Sequence, residues 1–173
     1  MKEFQYSFFA KFIYRYANVP VTIVLLFYLL VSLSYSTDKW YFIIPAFINA
    51  VIIFSLNKFY IKMYRTYPFK ITADNRKITC SDFAFSNKEI TIDLVNIEKI
   101  TGGIFSGNNL KPIELYDGKQ KIQIGFNQHI GGFNKLLTII LSNINKKLYD
   151  ELLQKVKENS FIRKIKKPGK TGP

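Results

Sequence analysis

Two uncharged, apolar runs separated by a short connector constrain this chain more than any other feature of the sequence. No charge occurs between Arg15 and Asp38, and a second uncharged run extends from Trp40 to Asn57, so the runs contain 22 and 18 residues. Helices of these lengths would measure roughly 33 and 27 Å, close to the thickness of the hydrocarbon core of a bilayer. We therefore expect two membrane-spanning helices, over about residues 17–36 and 40–57. The connector is so short that they would form an antiparallel hairpin.

Charged and aromatic residues at the ends of the two runs predict the orientation of this hairpin. Basic residues precede the first run and follow the second, whereas the connector carries one charge of each sign. By the positive-inside rule, both chain ends are expected in the cytosol. The basic residues expected at the membrane surface are Lys11, Arg15, Lys58, Lys62 and Arg65, and the aromatic residues expected to anchor the spans are Tyr16, Trp40, Tyr41 and Tyr60.

The N-terminal region allows alternatives to a plain hairpin. Residues 34–36 resemble a signal-peptide cleavage site, but the region before the apolar run is long and aromatic and a second apolar run follows at once, which favours an uncleaved span. Within residues 1–16, aromatic residues recur at every fourth position from Phe4 to Tyr16. This spacing predicts a helix, which either lies in the headgroup layer as an amphipathic interfacial segment or extends the first span.

From Phe69 onward the apolar period changes to two, which indicates β-strands. Apolar and polar residues alternate over residues 69–74 and again over residues 89–94, and Asp74 and Asn75 provide a turn signal. The clearest hairpin covers residues 113–126, because Asp117 and Gly118 form a two-residue turn signal. A two-residue turn would place Glu114 opposite Lys121 and Ile113 opposite Ile122.

The last predicted element is helical. Apolar residues from Phe133 to Ile144 recur at the spacing of one helix face, and further apolar residues extend this series to Val156. Asn143 and Asn145 either mark a break between two helices or lie within one long helix. Residues 159–173 are predicted to form a basic, flexible tail. The tail residues expected at the membrane surface are Arg163, Lys164, Lys166 and Lys167.

This order of elements resembles that of the bacterial pleckstrin-homology-like (PH-like) membrane proteins, in which a two-helix membrane hairpin precedes a PH-like domain. The resemblance is carried by residues 69–78 and 88–100, by the hairpin around Asp117, and by the helix that begins at Phe133. It implies a binding or scaffolding domain at the membrane surface that is not an enzyme. Relatives that bind phosphoinositides carry several basic residues on the first two strands. The pattern of those relatives also includes a further arginine. This chain has Lys70, Arg76 and Lys77 on these strands but lacks that arginine, so the resemblance implies only non-specific attraction to anionic lipid.

The expected fold class is therefore an α+β membrane protein, with a transmembrane hairpin followed by a PH-like antiparallel β-barrel or sandwich and a C-terminal amphipathic helix. The expected organisation is an interfacial segment over residues 1–16, the hairpin over residues 17–57, a cytosolic domain over residues 68–158, and the tail. The expected location is the bacterial inner membrane, with several passes.

Little in the sequence indicates catalysis or a cofactor. One cysteine and one histidine are too few for a Cys/His zinc site of the usual spacing. Cys80 shares the phase of Ile78 and is predicted to be buried, and His129 is predicted in a surface loop. Several carboxylates fall on predicted solvent faces, so no acid–base pair is indicated; they are Glu89, Asp93, Glu98, Asp150 and Glu151. We expect no enzyme activity, no catalytic residue, no metal, no cofactor and no small-molecule substrate.

The net charge of +13 is distributed unevenly: residues 1–67 contribute +5, residues 68–130 contribute +1, and residues 131–173 contribute +7. The β-rich region lacks the basic stripe with interleaved aromatic residues that is typical of nucleic-acid binding, so nucleic acid is not an expected partner. The leading hypothesis is an adaptor or accessory subunit of a membrane complex, with membrane lipid and an integral membrane protein as partners. The alternative is a module that binds or senses anionic lipid surfaces.

Overall fold

The structure, a computed structural model, describes residues 1–108 and 111–166, the last seven of these as helix backbone only. This part of the chain contains five α-helices and seven β-strands. They form two units: the hairpin unit, Phe8–Arg65, and the β unit, which combines Met1–Ser7 with the chain from Thr66 onward. The α+β class expected from the sequence is therefore confirmed.

The hairpin unit consists of three helices that leave most of their apolar side chains exposed. They are α1 (Phe8–Tyr16), α2 (Asn18–Ser36) and α3 (Ile43–Thr66). Two segments, Phe8–Ser36 and Trp40–Thr66, are long and apolar enough to cross a membrane, yet only 11% and 6% of their apolar windows are buried. The core helices of a soluble protein would be mostly buried, so this exposure favours helices that are solvated by lipid.

The helical backbone continues through Ala17, the single residue between α1 and α2. Ala17 keeps helical dihedral angles of φ −62° and ψ −25°, and its N–H donates to the carbonyl of Ile13 over 2.9 Å. Of the two alternatives for this region, this continuity favours an extension of the first apolar helix from Phe8 onward. A position of α1 in a headgroup layer stays a prediction.

The N-terminal residues belong to the β unit, where they form strand β1 (Lys2–Gln5). The first sheet has the order β1, β2 (Pro68–Ala73), β3 (Lys77–Phe83) and β4 (Ile90–Asp93), and all neighbours are antiparallel. The prediction of a helix that starts within the first four residues is therefore wrong. Phe4 and Tyr6 are buried with Gln5 exposed between them, a period of two that places both aromatic rings in the β-unit core.

The second sheet has three antiparallel strands. They are β5 (Ile97–Thr101), β6 (Ile113–Asp117) and β7 (Ile122–Phe126), in that order. Ile71, Ile92 and Ile124 from the two sheets and Leu136 from the following helix are each at most 1% exposed. The strands therefore form two sheets with buried apolar faces, and no closed barrel is present among the described residues.

Asp74 confirms the predicted turn between β2 and β3. Its Oδ1 atom accepts hydrogen bonds from the backbone N–H groups of Arg76 at 2.8 Å and Lys77 at 2.9 Å. These two bonds stabilise the ionised carboxylate, so they lower the pKa of Asp74.

The predicted register of the β6–β7 hairpin is wrong. Asp117 pairs with Ile122, and Glu114 faces Gly125 instead of Lys121. The loop therefore has four residues, and Lys121 closes it in the left-handed region with φ +56°. The Asp117 Oδ1 atom accepts the N–H groups of Lys119 and Gln120. This side-chain capping stabilises the longer loop at the expense of the two-residue turn.

Two C-terminal helices follow the second sheet, α4 (Phe133–Asn143) and α5 (Lys146–Lys166). The chain breaks at Ile144, which is extended with ψ 167°, and the Asn145 side chain accepts the N–H of Lys147 at 2.9 Å. The structure therefore selects the two-helix alternative. It also continues α5 through residues 159–166, where a flexible tail was expected. Residues 167–173 lie outside the described residues.

Candidate functional site

A polar network connects the helices of the hairpin unit. The Asn57 amide donates to the Thr22 hydroxyl at 3.2 Å and to the carbonyl of Ile53 at 2.9 Å. The Tyr64 hydroxyl lies 2.5 Å from Asn18 Oδ1. In lipid, such interhelical polar contacts stabilise helix pairs that gain little from burying apolar surface. Sequence reasoning missed this network, because each residue is unremarkable until the two runs are aligned side by side.

The basic residues predicted on the hairpin unit are brought to one of its ends. The Tyr64 hydroxyl lies 2.8 Å from the carbonyl oxygen of Arg15, which joins the end of α1 to the last turns of α3. The basic and aromatic residues that accompany these turns are Lys11, Arg15, Tyr16, Lys58, Tyr60, Lys62 and Arg65. Trp40 and Tyr41 lie at the other end, in the helical turn before α3. Contact of these residues with a membrane stays a prediction.

An apolar groove runs along the hairpin unit. Its volume is about 540 Å³, and its walls come from α2 and α3. It is lined by Leu26, Leu29, Ala50, Ile53, Phe54, Asn57, Lys58 and Ile61. Ala50 is the smallest of these residues. The single charged residue, Lys58, lies near the end of the unit that carries the other basic residues.

The β unit has one end at which the chain passes into the hairpin unit after Ser7 and returns at Thr66; we refer to it as the exit end. The Tyr6 hydroxyl accepts the N–H of Asn127 at 2.7 Å, and the Gln5 carbonyl accepts the N–H of Gly131 at 2.8 Å. These contacts place the loop between β7 and α4 at the exit end.

Tyr67, the residue between α3 and β2, packs on the second sheet. Its hydroxyl donates to Glu114 Oε1 at 3.4 Å, and a Cβ atom on Gly125 would lie only 2.6 Å from its ring. Glycine at this position therefore allows the ring to cover the strand. Burial of Tyr67 and the nearby Glu114 carboxylate raise the pKa of the phenol.

Three loops and a cavity occupy the exit end. Strand β3 ends there, because its last residue, Phe83, pairs with Pro68. The β5–β6 loop ends there as well, because Ile113 pairs with Phe126 at the end of β7. Between the β5–β6 and β7–α4 loops lies a cavity of about 780 Å³. None of the described residues that line it is acidic, and the polar ones are Lys111, Gln128, His129, Asn134 and Lys135.

Helix α5 runs towards the exit end. Asn159 donates to the carbonyl oxygen of Phe105, in the β5–β6 loop, at 3.1 Å. The helix then continues for seven residues to Lys166, about 10 Å further. This backbone carries the predicted surface residues Arg163, Lys164 and Lys166 beyond the loop, whereas Lys167 lies outside the described residues.

The remaining side chains that could react or bind a metal lie far apart from one another in the sequence and form no cluster among the described residues. Cys80 is fully buried, as predicted, and burial raises the pKa of its thiol. His129 is exposed in a loop, also as predicted. Among the described residues, no group of three or more His, Cys, Asp and Glu side chains is placed to hold a metal ion.

Comparison with known proteins identified no matching protein-family model, no matching curated protein and no matching solved structure. The functional interpretation therefore depends on the arrangement of these residues alone.

Proposed function

We propose that this chain is a non-enzymatic, membrane-anchored adaptor or accessory subunit that holds a PH-like domain at the cytosolic face of a bacterial inner membrane. The exposed apolar surface of the hairpin unit is the observation that carries the proposal. Exposure of two such apolar helices to water is unfavourable, whereas a bilayer accommodates them. Seven antiparallel strands in two sheets, followed by helix α4, support the PH-like part.

The pairing of β1 with β2 supports a topology with both ends of the hairpin on one side of the membrane. Strand β1 precedes the hairpin unit and β2 follows it, and Phe4 and Ile71 are partners in one sheet. A hairpin that crosses the bilayer twice satisfies this pairing, whereas a single crossing would separate the two strands. The basic residues at the end of α3 then favour the cytosolic side.

The groove on the hairpin unit supports an integral membrane protein as partner. Its residues on α3, from Ala50 to Ile61, follow the spacing of one helix face. A small residue such as Ala50 allows the close approach of another helix, as is common in membrane helix packing. The groove has space for side chains of a helix from a partner protein, as the proposed role of an accessory subunit requires.

Site-specific photo-crosslinking in native membranes tests this proposal. A photoreactive residue replaces Phe54, in the groove, or Ile52, which is exposed on α3 but does not line the groove. We expect one discrete protein adduct from position 54 and none from position 52. Lipid adducts alone at both positions, or the same protein adducts at both, would contradict a partner in the groove.

A second function, attraction to anionic lipid, is supported by the positive charge at the exit end. Lys111 and Lys135 line its cavity, and α5 continues past it towards a strongly basic sequence. Each basic residue near an anionic surface contributes about 1 kcal/mol.

Amine labelling of the full chain in lipid nanodiscs tests this second function. Lys111 and Lys135 are expected to react more slowly in anionic than in neutral nanodiscs, with the difference removed by salt. Lys119, exposed in the β6–β7 loop, is the control. Equal labelling rates of Lys111 in both lipids would exclude this function.

A further inference from the structure

Strand β1 is separated in the sequence from its partner strand by the whole hairpin unit. Strand β1 precedes this unit and β2 follows it, yet the two strands are antiparallel neighbours over four residue pairs. When β1 is synthesised, the strand that it pairs with does not yet exist. Pairing therefore waits until the hairpin has been made and β2 has emerged on the same side of the membrane as β1.

The segment that contains β1 supplies two aromatic rings to the core of the β unit. Phe4 and Tyr6 are only 4% and 7% exposed. A Cβ atom on Gly132, immediately before α4, would lie 3.1 Å from the Phe4 ring. The Tyr6 ring meets the Phe69 ring edge-on, with the ring centres 5.8 Å apart. The two rings therefore contact both β2 and the start of α4.

The same segment also accepts hydrogen bonds from the loop between β7 and α4. The Tyr6 hydroxyl accepts the N–H of Asn127 at 2.7 Å, and the Gln5 carbonyl accepts that of Gly131 at 2.8 Å. Without β1 these two acceptors and both rings are lost, and β2 becomes an edge strand. Loss of one buried aromatic ring already removes a large part of the stability of a small domain. We therefore expect the β unit to lose its packed fold when β1 is absent.

We propose that the pairing of β1 with β2 makes the fold of the β unit conditional on membrane topology, so that the β unit is complete only where both ends of the hairpin lie on one side of the bilayer. The inference rests on the proposed membrane anchoring. One or three crossings separate β1 from β2 by a hydrocarbon core about 30 Å thick, whereas paired strands lie about 4.8 Å apart. An incorrectly inserted chain therefore has no complete β unit to present to a partner.

Cys80 reports whether β1 is in place. It is the only cysteine in the chain, and its side chain is 0% exposed. It lies on β3 opposite Ile71, and Ile71 is in turn opposite Phe4 on β1. Opening of the sheet at β1 exposes the thiol, so the rate of labelling by a membrane-permeant maleimide measures the open fraction.

Added membrane spans test the dependence on topology in the full chain, in native membranes. One or two artificial spans of about 20 leucine and alanine residues are inserted between Asp38 and Lys39, in the connector of the hairpin. One added span places the chain ends on opposite sides and two return them to one side, and tags at the ends identify the chains with these topologies. We expect the labelling rate of Cys80 to rise at least about 100-fold with one added span and to return to the wild-type rate with two.

Substitutions within the β1 segment show whether this segment is responsible for the protection. In the wild-type topology and in the chain with two added spans, Phe4→Ala/Tyr6→Ala should raise the labelling rate of Cys80. The matched variant Phe8→Ala/Phe9→Ala should not, because these two rings are 87% and 72% exposed in the hairpin unit. Protection of Cys80 that survives Phe4→Ala/Tyr6→Ala would overturn the inference.

The outcomes separate this inference from the proposed function. A thiol at Cys80 that stays protected with one added span overturns the dependence on topology and leaves the membrane anchor intact. Equal labelling with one and two added spans also overturns it, because the effect would then not depend on the side of the membrane. Release of the wild-type chain from membranes by alkaline carbonate overturns the membrane anchor itself and this inference with it.

Discussion

The β unit buries its apolar side chains, whereas the hairpin unit leaves most of its apolar side chains exposed. In the β unit, Phe69 and Ile71 are 4% and 1% exposed, whereas Phe27 and Phe54 on the hairpin unit are 65% and 69% exposed. Burial of apolar side chains away from water therefore stabilises the β unit. The exposed apolar side chains of the hairpin unit require an apolar solvent or a partner to cover them.

Phe4 and Phe8 provide the sharpest test of this comparison. They belong to the same aromatic series, yet Phe4 is 4% exposed in the β unit and Phe8 is 87% exposed in the hairpin unit. Phe4→Ala is expected to lower the free energy of unfolding of the β unit by about 3–5 kcal/mol, because it opens a cavity in the core. Phe8→Ala should leave it nearly unchanged. Chemical unfolding of the full chain in detergent measures both, and equal losses would show that β1 is not part of the core.

Gly125 tests how closely the β-unit core is packed. A methyl group there would collide with the Tyr67 ring, so Gly125→Ala is expected to lower the stability by about 1–3 kcal/mol. Gly118→Ala is the matched control, because its methyl group would meet only the flexible end of the Glu98 side chain. Thermal unfolding of the two variants compares them. A loss at Gly118 as large as that at Gly125 would contradict the specific role of Tyr67.

Asn57 and Asn49 test the polar interior of the hairpin unit. Asn57 contacts α2 through Thr22, whereas the Asn49 amide donates to the Pro45 carbonyl of its own helix at 3.0 Å. Asn57→Leu is therefore expected to weaken helix pairing by about 0.6–1.7 kcal/mol, and Asn49→Leu by less. Unfolding of the hairpin by a denaturing detergent provides the measurement. The reverse order of effects would show that the network does not hold the helices together.

The smallest expected effect is pH-dependent loosening of β1. The Lys70 ammonium lies 2.9 Å from the Glu3 carboxylate, and this contact lowers the pKa of Glu3 below its ordinary value of 4.5. Because the folded-state pKa is lower than the unfolded one, the stabilisation is complete above pH 4.5 and is lost as the pH falls through the folded-state pKa. The stability difference between wild type and Glu3→Gln should therefore disappear in acid. A difference that persists in acid would assign the effect to another group.

Much of the fold was accessible from local patterns, and the exceptions have identifiable causes. The turn at Asp74 was predictable because a carboxylate that binds the next backbone N–H groups is a local signal. The β6–β7 register was not, because Asp117 supports both a two-residue turn and the observed four-residue loop. The candidate site was predicted only in part. Its basic residues on α3 were identified, whereas Lys111 and Lys135 line one cavity at the exit end only because strands from distant segments pair.

By itself, the sequence determined the two long apolar helices, the change to a period of two near Phe69, and the buried position of Cys80. Each depends on residues that are neighbours in the chain. Only the tertiary structure decided that Phe4 belongs to a strand and that β1 and β2, which precede and follow the hairpin unit in the sequence, are adjacent in one sheet. Seven residues do not distinguish a helical from an extended period, and strand pairing across a separation of more than 60 residues leaves no local signal.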